Sequence, residues 1–113
     1  MAALFILLKA APEEEQHVRF ARNLARAAAA QGHSVTLFAL GEGVYNLATG
    51  LGGQHGDYGI ALDGQGAVRV LYCHYNAEQR AVAERIPQGF ESSATSQAGI
   101  LVARSDRFVT ISA

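Results

Sequence analysis

The hydrophobic positions of this chain fall into short unbroken runs separated by amphipathic stretches. Ala3-Leu4-Phe5-Ile6-Leu7-Leu8 is apolar throughout and of strand length. Unbroken apolar runs mark strands covered on both faces, as in a parallel sheet between layers of helix. Lys9 to Pro12 ends the run. Pro12 followed by Glu13, Glu14 and Glu15 makes a helix entry, with proline in the first turn and acids near the positive end of the dipole. His17, Phe20, Ala21, Leu24, Ala25 and Ala28 recur at helical spacing. The helix is expected to run to about Ala30, with Gln31-Gly32 as its C-cap. Val35 to Leu40 is a second buried strand. Strand, helix and strand in succession predict a βαβ unit with parallel strands.

Gly41-Glu42-Gly43 then forms a tight turn, and Val44 to Ala48 reads as one or two turns of helix. From Gly50 to Gly66 the pattern changes, with seven glycines in the stretch. That is too glycine-rich for a stable helix and too long for a tight connection, and is expected to be a surface loop, a lid or a subunit contact. Ala67 to Tyr72 is a third strand. Ala77 to Arg85 is an amphipathic helix with Asn76 as its cap, ended by Pro87. Gly89-Phe90-Glu91-Ser92 is a short fourth strand. Ser93 is placed to cap a helix from Ala94 to Arg104, with Ala98, Leu101 and Val102 inward. Phe108 to Ser112 closes the sheet. The sum is a single domain over residues 1–113, a three-layer α/β/α fold around a five-stranded, mainly parallel sheet.

Composition narrows the function more than it changes the fold. Half of the 113 residues are hydrophobic and 17% are charged, enough apolar material for a core. The formal net charge is -1, so no broad basic face is offered to nucleic acid or an acidic membrane. A nearly neutral small protein tends to associate with itself. The single cysteine excludes an intrachain disulfide and suits a reducing compartment. No apolar run reaches the roughly 18–20 residues of a membrane-spanning helix. Met1 to Leu8 lacks a basic n-region, so no signal peptide is expected, and the expected localisation is cytoplasmic.

The chemistry converges on Cys73, at the junction of the third strand with the following helix. Ligands in open α/β sheets collect beyond the carboxyl ends of the strands. A helix N-terminus there would favour thiolate, the reactive form. The competing reading is a small buried hydrophobe, since free cysteine is among the most buried residue types. His74 is a candidate base, although neighbouring side chains at a strand end point apart. His55, Asp57 and His74 match no metal-ligand spacing, and no metal or cofactor is expected. Gly41-Glu42-Gly43 lacks the rest of a dinucleotide-binding glycine motif.

Four stretches together resemble the DsrE/TusD-like (DsrEFH) sulfur-relay superfamily. They are the apolar first strand with its His17-x-x-Phe20-Ala21-x-x-Leu24-Ala25 helix, and Gln31 to Phe38 leading to Gly41-Glu42-Gly43-Val44-Tyr45. The others are Val70-Leu71-Tyr72-Cys73 with Arg80 seven residues on, and Ser105-Asp106-Arg107-Phe108-Val109-Thr110. The resemblance implies a cytoplasmic homo- or hetero-oligomer, a trimer or hexamer. It implies that Cys73 accepts sulfur as a persulfide and passes it to a thiol of a partner protein. Glu42, Gly43, Tyr45, His74, Asn76 and Arg80 would then shape the surroundings. The sequence departs from the pattern in having Asn76 where some members carry a second cysteine, and Ala81 where a glycine usually follows the arginine. The alternative is a non-catalytic oligomeric binding module, with Cys73 as packing and a pocket lined by Tyr45, His55 and Tyr58.

Overall fold

The structure, a computed structural model, describes residues 2–49 and 68–112. The expected loop at Gly50–Gly66, with His55, Asp57 and Tyr58, lies outside the described residues. The described residues form five strands: β1 (Ala3–Leu8), β2 (Ser34–Ala39), β3 (Val68–Cys73), β4 (Glu91–Ser93) and β5 (Arg107–Ile111). All four pairings are parallel and the strand order is β4-β3-β2-β1-β5. The mainly parallel sheet expected from the sequence is thus parallel throughout.

Strand alternation divides the core into two layers. On one face, Ile6 and Leu8 of β1, Val35, Leu37 and Ala39 of β2 and Val70 of β3 form the larger cluster. Helix α1 (Glu15–Ala30) covers it through Val18, Ala21 and Ala25. A 3-10 helix at Gly41–Asn46 adds Val44, and helix α2 (His74–Gln79) adds Ala77. On the other face, Phe5, Phe38, Leu71 and Cys73 pack against Ala98, Leu101 and Val102 of helix α3 (Thr95–Arg104). The α/β/α layering is as expected, but among the described residues one layer is a single helix of 10 residues.

The ends of α1 follow from local chemistry. At its C-terminus, Gly32 takes φ +88°, and the Gly32 and His33 N–H groups donate to the carbonyls of Ala29 and Ala28. This is the Schellman arrangement that a glycine allows cheaply. At the other end the helix starts at Glu15, so Pro12 sits in the preceding turn rather than in the first helical turn. The inward face also differs from the expected one. Val18 is buried, whereas His17 is exposed and Phe20 is 57% exposed. Alanines on both sides of the true stripe leave its phase weakly marked, and the bulky Phe20 pulls the reading toward itself.

Two further expectations are corrected. The helix after β3 begins at once, at His74, with Cys73 in the N-cap position, not at Ala77 with Asn76 as cap. It ends early because Ala81 takes φ +55°; a separate 3-10 turn at Ala83–Arg85 follows. The N-cap of α3 is Ala94, which makes no side-chain capping bond, so Ser93 does not cap it.

Candidate functional site

The carboxyl ends of β3 and β4 form the place where the chain's connections part. The chain leaves β3 through α2, on the face covered by α1. It leaves β4 through α3, on the opposite face, and crosses to β5 beyond β1. A return in the opposite direction puts the connecting helix on the other face if crossovers are right-handed. Adjacent strands whose exits diverge leave a crevice between them, the usual ligand position in open α/β sheets. Cys73 is the last residue of β3 and is paired in register with Ser93, the last of β4.

The thiol is held on the α3 side. Its Sγ lies 3.6 Å from Oγ1 of Thr95, the first residue of α3, a contact in which either atom can donate. Cys73 is only 1% exposed. Of the two readings of the thiol, its burial is the feature shared with the packing one: Phe5, Phe38, Leu71 and Ala98 are packed with it. Helix α2 is six residues long, so the field at its start is that of fewer than two turns. Thr95 is the participant that the sequence did not indicate. A hydroxyl opening a helix just after a short strand was the available signal, but the β3–β4 pairing is needed to see that it faces Cys73.

The other candidates gather beside this point rather than on the sulfur. Gly41 donates its N–H to Asn76 Oδ1 at 2.8 Å. Arg80 donates from Nη2 to Glu42 Oε1 and from Nη1 to the Asn76 carbonyl, both at 3.3 Å. Glu42, Asn76 and Arg80 thus form one brace that ties the 3-10 helix to α2. Asn76 serves the brace and not a helix cap. Gly43 is required by close approach: a Cβ there would overlap the Leu8 carbonyl oxygen and come 2.9 Å from its carbon. Tyr45 is partly buried and packs against the larger core cluster. Asn46, which the sequence reading passed over, is fully buried and donates from Nδ2 to the carbonyls of Ala10 and Gly43.

His74 does not pair with Cys73. Its Nε2 lies 2.8 Å from Glu78 Oε1, one helical turn on, and its ring meets Tyr75 edge-on. With Tyr72, Glu78, Ala83 and Glu84 it lines an open cavity of about 740 Å³. Tyr72 packs against the cluster under α1, and Cys73 belongs to the one under α3, so cavity and sulfur lie on different sides of the sheet. A catalytic Cys–His pair is not formed by these two residues.

An ion pair across the β3–β4 ladder lies farther along the same edge. Arg69 on β3 grips Glu91 on β4 through two hydrogen bonds of 2.7 and 3.0 Å. The hydrogen bond from Arg69 holds the Glu91 carboxyl below its ordinary range and raises Arg69 in turn. Both side chains are about half exposed, so the pair aligns β4 more than it stabilises the fold.

Comparison with known proteins agrees with the architecture. A crystal structure of the YchN protein from E. coli superposes with a TM-score of 0.75 at 20% identity, covering 98% of this chain and 100% of that one. At that identity the likeness speaks for the fold. Among curated proteins, none matches the sequence. The model of the DsrE/DsrF-like family matches residues 2–111, nearly the whole chain. The features that the sequence shares with the sulfur-relay proteins are therefore set on the expected sheet, and the chain belongs to the DsrE/DsrF-like family.

Proposed function

We propose that this protein is a sulfur carrier, with Cys73 as the residue that takes up sulfur. The observation that carries the reading is the position of Cys73: it ends β3 where the exits of β3 and β4 diverge, with a hydroxyl 3.6 Å from its sulfur. In the reaction, Cys73 thiolate attacks the outer sulfur of a persulfide on a donor protein. The donor's sulfur–sulfur bond breaks and the donor leaves as a thiolate. A thiolate of an acceptor protein then attacks the outer sulfur on Cys73 and restores the free cysteine. Each step exchanges one sulfur–sulfur bond for another, so no external oxidant is needed. The Thr95 hydroxyl can donate to the sulfur anion at both stages.

The setting that fits this chemistry is a reducing cytoplasm, and the assembly that fits the family is a homo-oligomer, a trimer or hexamer. None of the described helices is long and apolar enough to cross a membrane.

A second reading is favoured by one observation, the 1% exposure of Cys73. In it the thiol is packing, and the protein is a non-catalytic oligomeric module of the same fold. The two readings separate in one experiment. The protein is incubated with a cysteine desulfurase and free cysteine, then weighed before and after reduction. The carrier gains one sulfur atom that reduction removes, and Cys73→Ser gains none. A mass unchanged by the desulfurase leaves the packing reading.

A further inference from the structure

Cys73 is separated from solvent by helix α3, and α3 is the most weakly built helical layer of the described fold. On one side of the sulfur stands the sheet itself, backed by α1, α2 and the 3-10 helix. Phe5, Phe38 and Leu71, its neighbours within the sheet, are at most 2% exposed and sit on β1, β2 and β3, so none can leave without disrupting the core. Among the described residues, what remains is the first turn of α3, Thr95 to Ala98.

Several features loosen that turn. The N-cap residue Ala94 makes no capping bond, and the first turn carries no acid. Gly99 sits mid-helix, and a Cβ built on it would meet nothing within 4 Å, so packing does not demand a glycine there. Ala98 is the one buried residue of the helix, at 8% exposure, and Ile100 is 48% exposed. The strand leading in, β4, is a three-residue edge strand of Glu and Ser. The far end of α3 is pinned instead: Asp106 donates its N–H to the Ala3 carbonyl at 2.8 Å and accepts from the Ala3 N–H at 2.7 Å. Among the described residues, the start of α3 is held by the three-residue β3–β4 ladder with its half-exposed Arg69–Glu91 pair and by the long Thr95–Cys73 contact, weaker ties than those beyond its end, so the far end is the natural pivot. Elements with few buried apolar contacts open at the low end of a protein's stability range.

We propose that the N-terminal part of α3, together with β4, swings away as a local unit, and that this opening controls access of other thiols to Cys73. The claim concerns access only, so it stands or falls apart from the fate of any sulfur placed there.

The test is the rate at which iodoacetamide labels the native full-length chain, in the range where opening is rapid and labelling slow. The rate then follows the open population. Gly99→Ala strengthens the helix and is expected to slow labelling about fivefold. Ala94→Ser adds a cap without adding charge near the thiol and is expected to slow it by a similar factor, about fivefold. The thiol's titration is followed in each variant, so that a change in ionisation is not read as a change in access. Ala25→Gly weakens α1 on the opposite face, and with it the whole fold. It should leave the labelling rate where it was. Wild-type rates in both α3 variants would overturn the proposal. So would an Ala25→Gly rate that rises in step with its lost stability, since access would then come from global unfolding. A wild-type thiol that reacts as fast as one in the unfolded chain would overturn it as well.

Discussion

The two faces of the sheet are built to different standards. The face under α1 is sealed by two helices and a 3-10 helix, and its cluster runs from Ile6 through Leu37 to Val82 with every central member nearly inaccessible. The face under α3 is closed, among the described residues, by one short helix and leaves Phe108 on β5 47% exposed, although its ring still meets Phe5 at 5.7 Å. A sheet with parallel strands normally has both faces covered. Stability is therefore concentrated on the first face, and the only thiol lies on the second.

Truncation gives the largest expected contrast. Leu37→Ala removes a fully buried side chain from the sealed face and should cost about 3 kcal/mol in urea unfolding. Phe108→Ala removes a larger side chain from the thin face, yet about half of it is already in water, and about 1 kcal/mol is expected. Equal losses would mean that Phe108 is covered in solution, and a concentration-dependent midpoint would identify a second copy of the chain as the cover.

A smaller effect probes the one strained position on the sealed side. Ala81 holds φ +55°, where a Cβ is disfavoured. Ala81→Gly should raise stability by about 0.5 kcal/mol, the relief of strain exceeding the added freedom of the unfolded chain. A loss of stability would show that the α2 exit is not strained in solution.

The smallest effect belongs to the thin side's edge. Glu91 has its carboxyl lowered by Arg69, so its contribution is present above the unfolded carboxylate pKa of about 4.3 and is lost as pH falls through the lower folded value. At half exposure this amounts to about 0.5 kcal/mol or less. Glu91→Gln should flatten the acid part of the stability–pH curve by lowering the neutral plateau by that same amount, with no change of slope between pH 6 and 8. A change of slope at pH 6–8 would refute the assignment.

The sequence displayed the sealed half of the molecule more clearly than the thin half. Unbroken apolar runs located β1 and β2 to within a residue, and Gly32 announced the end of α1. Periodicity was less informative where alanine dominates, so Val18 was passed over for Phe20. At the site the limit was of another kind. Asn76 has the local chemistry of a helix cap, but its side chain is used by Gly41, 35 positions earlier. Thr95 meets Cys73 only because β4 lies beside β3. Neither relation leaves a mark on neighbouring residues. The position of the thiol at a strand end was legible, while its burial depended on which face α3 covers, a matter of strand order.

Asn46 gives the upper rim of the sheet an asymmetry of its own. One amide group clasps the backbone just past β1 and the backbone just past β2, deep in the interior where water cannot substitute for it. Those two exits are riveted into a single block. The Gly41–Asn76 and Glu42–Arg80 contacts join the exit of β3 to the same block, which makes Asn46 the fixed jaw and leaves the β4 exit as the side that can yield.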